Sequence, residues 1–157
     1  MKRLILSPAR VGALALLLAL AGNGTSYAQE TDIKAAIDAL HAAISTLDVS
    51  KIEPLWVHDN SVMSKQPPDK NISVGWDAVK TDWEADFQPL TELNVTQAEG
   101  PYIRVNGNVA WQMGIAKAVG KLKTGAAVNA LVAETDVFEK SDGKWLIVSH
   151  TATRLPQ

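Results

Sequence analysis

Two of the three histidines sit where chemistry could be done. His58 and Asp59 close the tetrapeptide Trp56-Val57-His58-Asp59, and His150 ends the apolar alternation Leu146-Ile147-Val148-Ser149-His150. An imidazole titrates near neutrality, so it can move a proton, orient a ligand or bind a metal. His58, Asp59 and His150 have the right types for a metal site, but three distant positions would have to converge and no spacing shows that they do. No metal and no cofactor is assigned. Asp59 and Asn60 fall where a helix hands over to a strand, where Asx side chains commonly bond the backbone, so Asp59 reads as structural. His58 is expected at a cavity mouth or in solvent. Asp82, Glu84 and Asp86 read as the solvated face of a helix. His150, on an apolar face, is the better candidate for contact with a ligand.

The elements that must position these groups follow from periodicity. Ile33, Ile37, Leu40, Ile44 and Leu47 make one stripe and predict a helix over Thr31–Leu47. Ser50 and Glu53 have capping-box spacing and open a short helix reaching about Val57. Ser61–Gln66 reads as a strand, ended by Pro67-Pro68-Asp69. Trp76, Val79, Trp83, Phe87 and Leu90 form a second stripe after Gly75, with Pro89 at its end. Beyond Thr91 the chain turns to strands. Asn106-Gly107, Thr124-Gly125 and Asp142-Gly143 mark the hairpin turns, and both residues of Asn106-Gly107 are expected at positive φ. Helices first and an antiparallel meander last predict an α+β fold.

The start of the chain reads as an address. Lys2, Arg3 and Arg10 precede the uncharged apolar run Val11–Ala21, and Ser26 and Ala28 are small residues spaced for signal cleavage. The run is shorter than the about 20 residues a bilayer span takes. Residues 1–28 are therefore expected to be a cleaved signal peptide and 29–157 a single domain, periplasmic or secreted. Removing the leader takes three basic and no acidic residues. That leaves 12 basic against 17 acidic groups over 129 residues, a net charge of −5. This balance argues against nucleic acid or an anionic membrane surface as partner after cleavage. With no cysteine, the domain must be held by its core alone.

The segments GWDAVKTDWEADF, NGNVAW and VFEKSDGKWLIVSH, in this element order, resemble the SnoaL-like branch of the nuclear-transport-factor-like, ketosteroid-isomerase-like superfamily. The resemblance implies a cone of three helices packed on a strongly curved, mainly antiparallel sheet that encloses a pocket. It covers isomerases, cyclases, dehydratases and proteins that only bind, so the fold cannot choose a function. The isomerases' catalytic positions fall, without gaps, on Ser64 for the base, Thr135 for the oxyanion-side acid, and Leu40 or, shifted by one, His41 for the tyrosine donor. None of the three identities is kept. A serine hydroxyl is a very poor base, so the resemblance argues against steroid-isomerase chemistry.

If Ser64 and Thr135 point inward, strand alternation sends Val62, Leu131, Ala133 and Val137 inward too. By the same comparison Trp111, Met113 and Ile115 face in on the hairpin strand, and Leu146, Val148, His150 and Ala152 on the last. Glu134, Asp136 and Phe138 would then face out, leaving no carboxylate to orient His150. The expected ligand-binding set is Ser64, Trp83, Trp111, Met113, Thr135 and His150: apolar walls with few polar atoms. Three functions compete. The first is an exported binding domain for a small apolar or amphipathic molecule. The second is an isomerase, cyclase or lyase with His150 as the candidate catalytic acid or base. The third is a homodimer joined through the sheet face that carries Phe138 and Trp145.

Overall fold

The computed structural model describes residues 12–67 and 71–156. Lys2, Arg3, Arg10 and Val11 of the proposed leader, and Pro68-Asp69 of the strand-ending turn, lie outside the described residues. Helix α1 (Gly12–Ser45) runs unbroken through Ala28. It carries the predicted stripe: Ile33, Ile37 and Leu40 are fully buried and Ile44 nearly so. Each such side chain contributes roughly 1.5–3 kcal/mol relative to exposure. Leu47, at φ 56°, ends this run of backbone. Among the described residues no helix is long and apolar enough to cross a membrane.

Helix α2 (Val49–Ile52) is capped two residues earlier than the capping-box spacing predicts. Asp48, not Ser50, is the cap: its carboxylate accepts the Ser50 N–H at 2.9 Å. A 3₁₀ turn, Glu53–Leu55, with Pro54 in its first positions, carries the chain on to Trp56. Strand β1 (Met63–Lys65) is shorter than predicted. It pairs with β2 (Ser73–Val74), a strand too short for any period to reveal. Helix α3 (Trp76–Phe87) buries Trp76, Val79, Trp83 and Phe87, as its stripe requires.

Four long strands follow: β3 (Leu90–Asn106), β4 (Val109–Leu122), β5 (Ala127–Ser141) and β6 (Lys144–Arg154). The sheet order is β2-β1-β6-β5-β4-β3, antiparallel except where β1 runs parallel to β6. Three helices with a six-stranded, mainly antiparallel sheet make the expected α+β fold. At Asp142-Gly143 both residues have positive φ, 50° and 80°, which suits a two-residue hairpin between Ser141 and Lys144. The earlier turn differs. Asn106 pairs with Val109 as the last strand residue, and Gly107 alone takes positive φ.

Strand alternation is the main correction. On β5 the buried residues are Ala130, Glu134, Asp136 and Phe138, while Leu131 is exposed and Thr135 half-buried. On β4, Ala110 and Gln112 are buried; Trp111 is 42 % exposed and Met113 60 %. On β4 and β5 the inward set is therefore the opposite of the predicted one, while Val62, Ser64, His150 and Ala152 are buried as expected. Charged residues were expected outside because burying an unpaired charge is costly, but paired charges escape that rule. Strand β6 switches phase midway. Phe138 lies opposite Ile147 and Val137 opposite Ser149, so Val148 is an extra residue, a bulge. Trp145 and Ile147 face in before it, His150 and Ala152 after it, while Leu146 and Val148 are only half-buried. Phe138 and Trp145 thus belong to the core and cannot form a surface for a partner.

Candidate functional site

His150 is brought to the interior by β6 and is 2 % exposed. On the neighbouring strand Asp136 lies directly across from it, and His150 Nδ1 is 2.6 Å from Asp136 Oδ1. The second carboxylate oxygen accepts the side-chain N–H of Gln112 from β4, also at 2.6 Å. The register explains the row: Gln112, Asp136 and His150 are successive cross-strand partners on three adjacent strands. Asp136 has no solvent exposure. It is buried as a charge with both oxygens engaged, the condition under which burial is tolerated.

On the far side of His150, parallel β1 places Ser64 at the same level. Ser64 is buried, and its Oγ has no hydrogen-bond partner among the described residues. Trp83 comes down from α3, with its ring centroid 5.7 Å from that of His150. Its indole N–H is likewise buried and unpartnered. Because Nδ1 is held by Asp136, Nε2 is the nitrogen left for a ligand. Burial pushes the His150 imidazole down, but the charge and hydrogen bond of Asp136 and then the charge of Glu134 outweigh it, and the net shift is upward.

A second buried pair lies alongside. His41, on α1, places Nε2 2.9 and 3.1 Å from the two oxygens of Glu134. The same helix is tied to β3 through Ser45, whose Oγ bonds the His41 carbonyl and accepts the Val95 N–H.

Of the six predicted contact residues, the structure brings together Ser64, Trp83 and His150. Trp111, Met113 and Thr135 are on the outer face and do not reach the site. Sequence reasoning missed Asp136, Gln112, Glu134 and His41. The usable signal was Phe138, a large aromatic sharing strand parity with Glu134 and Asp136. His41 was reached only as the one-residue alternative in the family comparison, and the same shift on β5 moves Thr135 to Asp136.

Trp56-Val57-His58-Asp59 is a strap. Trp56 is buried against Trp76 with ring centroids 6.0 Å apart, and exposed His58 stacks on Trp76 at 4.4 Å. The Asp59 carboxylate accepts Ser61 N–H and O–H, both at 2.7 Å, and the Asp59 carbonyl receives the first N–H of α3, that of Trp76. Those bonds hold the Asp59 carboxyl below its usual range. Asp59 thus has the structural role its position suggested. His58 and Asp59 do not join His150, and among the described residues no group of His, Asp or Glu is placed to hold a metal ion. Asp82, expected in solvent, is half-buried and hydrogen-bonded by Ser73. Two surface clefts, about 450 and 340 Å³, lie beside α2 and beside the β5–β6 turn; neither touches His150.

The model of the SnoaL-like domain family matches residues 33–153. No curated protein matches the chain in sequence. Among solved structures, a nuclear transport factor 2-like superfamily protein from Salmonella enterica serovar Typhimurium superposes with a TM-score of 0.74 at 16% identity, covering 81% of this chain and 91% of that one. A ketosteroid isomerase-like protein from Erwinia carotovora atroseptica gives 0.68 at 17%, covering 81% and 96%. An NTF2-like protein of unknown function from Pseudomonas putida gives 0.70 at 14%, covering 82% and 87%. At such identities the likeness is one of fold.

Proposed function

We propose that this chain, which belongs to the SnoaL-like domain family, binds a small, mainly apolar or amphipathic molecule against His150. The observation that carries the reading is the oriented imidazole. Asp136 engages Nδ1 and leaves Nε2 free of it, while Ser64 on the paired strand and Trp83 beside the ring keep unpartnered polar atoms. Buried polar groups in a finished core are normally paired, so atoms left unpaired beside a fixed histidine are what a ligand would satisfy. With His150 raised toward its charged form, Nε2–H, Ser64 O–H and Trp83 N–H are all donors, and the matching ligand carries an acceptor oxygen on an apolar body.

The test is the His150 ring resonance of the full chain under a panel of small alcohols, ketones and esters. Binding at this site perturbs it in the wild type, and more weakly in Ser64→Ala. A panel that leaves His150 and the Trp83 indole unmoved removes the proposal.

Asp136 also favours a second reading, proton transfer by His150 in an isomerase, cyclase or lyase. A carboxylate-oriented imidazole is the usual arrangement for general acid–base work. Turnover that survives both His150→Ala and Asp136→Asn would rule it out. Self-association remains compatible with either. Tyr102, Met113 and Trp111 are exposed, and Met113 lies opposite Tyr102 across the strands. Contiguous apolar surface of that kind supports a homodimer. The basic and then apolar start supports export to the periplasm or beyond. N-terminal sequencing of exported protein checks this, with Gln29 as the expected first residue.

A further inference from the structure

Glu134 is the second carboxylate on the buried face of β5, two residues before Asp136. Orienting His150 does not require it, since Asp136 does that at 2.6 Å. Its own oxygens are both taken by His41, and the two side chains are 4–5 % exposed. A buried carboxylate is a costly group to keep without a use, even when paired. Its position suggests the use. Glu134 stands two residues, about 7 Å, along β5 from Asp136, and His150 is directly opposite Asp136 on the next strand, so Glu134 is a near neighbour across a low-dielectric interior where charges act over several ångströms. We propose that Glu134, clamped by His41, is a positioning residue for the proton on His150. Its charge adds to that of Asp136 in favouring the protonated imidazole, in which Nε2 is an N–H donor toward a ligand. The proposal rests on the reading of His150 as the ligand-contacting group.

The groups facing His150 from each packed element are consistent with this. Strand β5 supplies Asp136 and Glu134; β4 supplies neutral Gln112, and β1 neutral Ser64. Helix α3 supplies Trp83, with Asp82 and Asp86 one residue before and three after it; Asp82 is engaged by Ser73. Helix α1 supplies His41, behind Glu134. The upward shift of His150 has Glu134 among its causes, after desolvation and the two contributions of Asp136. Glu134 therefore acts on His150 through space, without a bond between them.

The test is the titration of His150 by ring-proton magnetic resonance in the full chain with no ligand added. Glu134→Gln is expected to lower the midpoint, though less than Asp136→Asn does. Glu134→Asp, which keeps the charge, restores it toward wild type. His41→Gln keeps an N–H donor on Glu134 and leaves the midpoint raised. An unchanged midpoint in Glu134→Gln overturns the proposal. So does a His41→Gln midpoint that falls as far as that of Glu134→Gln, because packing rather than charge would then be the cause. Since no ligand is present, this result is independent of the ligand panel. A panel that fails while Glu134→Gln still lowers the midpoint removes the ligand reading and leaves the electrostatic one.

Discussion

Replacing Asp136 by Asn changes one oxygen for one NH₂ group in a side chain with no solvent exposure. The native carboxylate accepts two hydrogen bonds of 2.6 Å, one from His150 and one from Gln112. Asn offers a single acceptor to these two donors, so one of them faces an N–H and loses its bond. Removing one partner of a buried charge pair costs about 3–5 kcal/mol. That is a large share of the roughly 5–15 kcal/mol that holds a typical domain together. Urea denaturation of wild type and Asp136→Asn at pH 6 measures the difference, with Thr135→Ala as control. Thr135 is half-buried on the outer face and should change stability by well under 1 kcal/mol. The pH dependence gives a second signature. The folded-state midpoint of His150 is raised above its ordinary 6.5. The contribution of the pair is thus fully present below about that value and is lost as pH rises through the raised midpoint. In Asp136→Asn that loss should disappear. A cost below 1 kcal/mol, or one matched by Thr135→Ala, would show that the assigned faces of β5 are wrong.

Three further outcomes are expected. Phe138→Ala should cost about 3–5 kcal/mol in the same denaturation experiment, because a fully buried ring leaves a cavity; a near-neutral result would return Phe138 to the surface. Trp111→Asp with Met113→Asp should leave unfolding of the single chain almost unchanged and abolish any self-association seen by light scattering, since both side chains are exposed. Asp59→Ala should loosen the entry to α3, seen as faster amide exchange at Ser61 and Val62. The wild-type contribution of Asp59 is present above about pH 3.8 and fades as pH falls through its depressed midpoint, so the variant and wild type should converge in acid.

The helices were legible because their stripes are long. Ile33 to Ile44 and Trp76 to Phe87 each repeat a 3.6 period over several turns. The last hairpin was legible from Asp142-Gly143, and the first from Asn106-Gly107, although its turn falls one residue later, on Gly107-Asn108. Strand facing was not. In a two-sided strand one residue of error reverses every side chain, and the ungapped comparison anchored β5 on Thr135 rather than Asp136. Treating Glu134 and Asp136 as surface charges then seemed consistent, because their partners, His41 and His150, are 93 and 14 residues away in the chain. Ser64, Trp83 and His150 were expected inside and are inside, because the comparison that misplaced β4 and β5 set β1 and the end of β6 in the right phase and the stripe of α3 placed Trp83. Asp136, Gln112, Glu134 and His41 depend on long-range pairings that no local pattern records.

The bulge at Val148 makes β6 a strand with two reading frames. Upstream of it the odd-numbered positions, Trp145 and Ile147, face the core; downstream the even-numbered ones, His150 and Ala152, take over. The surplus residue is therefore a spacer between a half that seals the core and a half that presents the site. Length can be edited at this joint. Removing Val148 would leave Ile147 opposite Phe138 and His150 opposite Asp136, in an unbroken ladder. Removing a residue within either half, away from the joint, would rotate that half's whole message to the other side of the sheet. Variation among domains of this shape could thus switch the interior histidine on or off by a single insertion or deletion, with no substitution at the site itself.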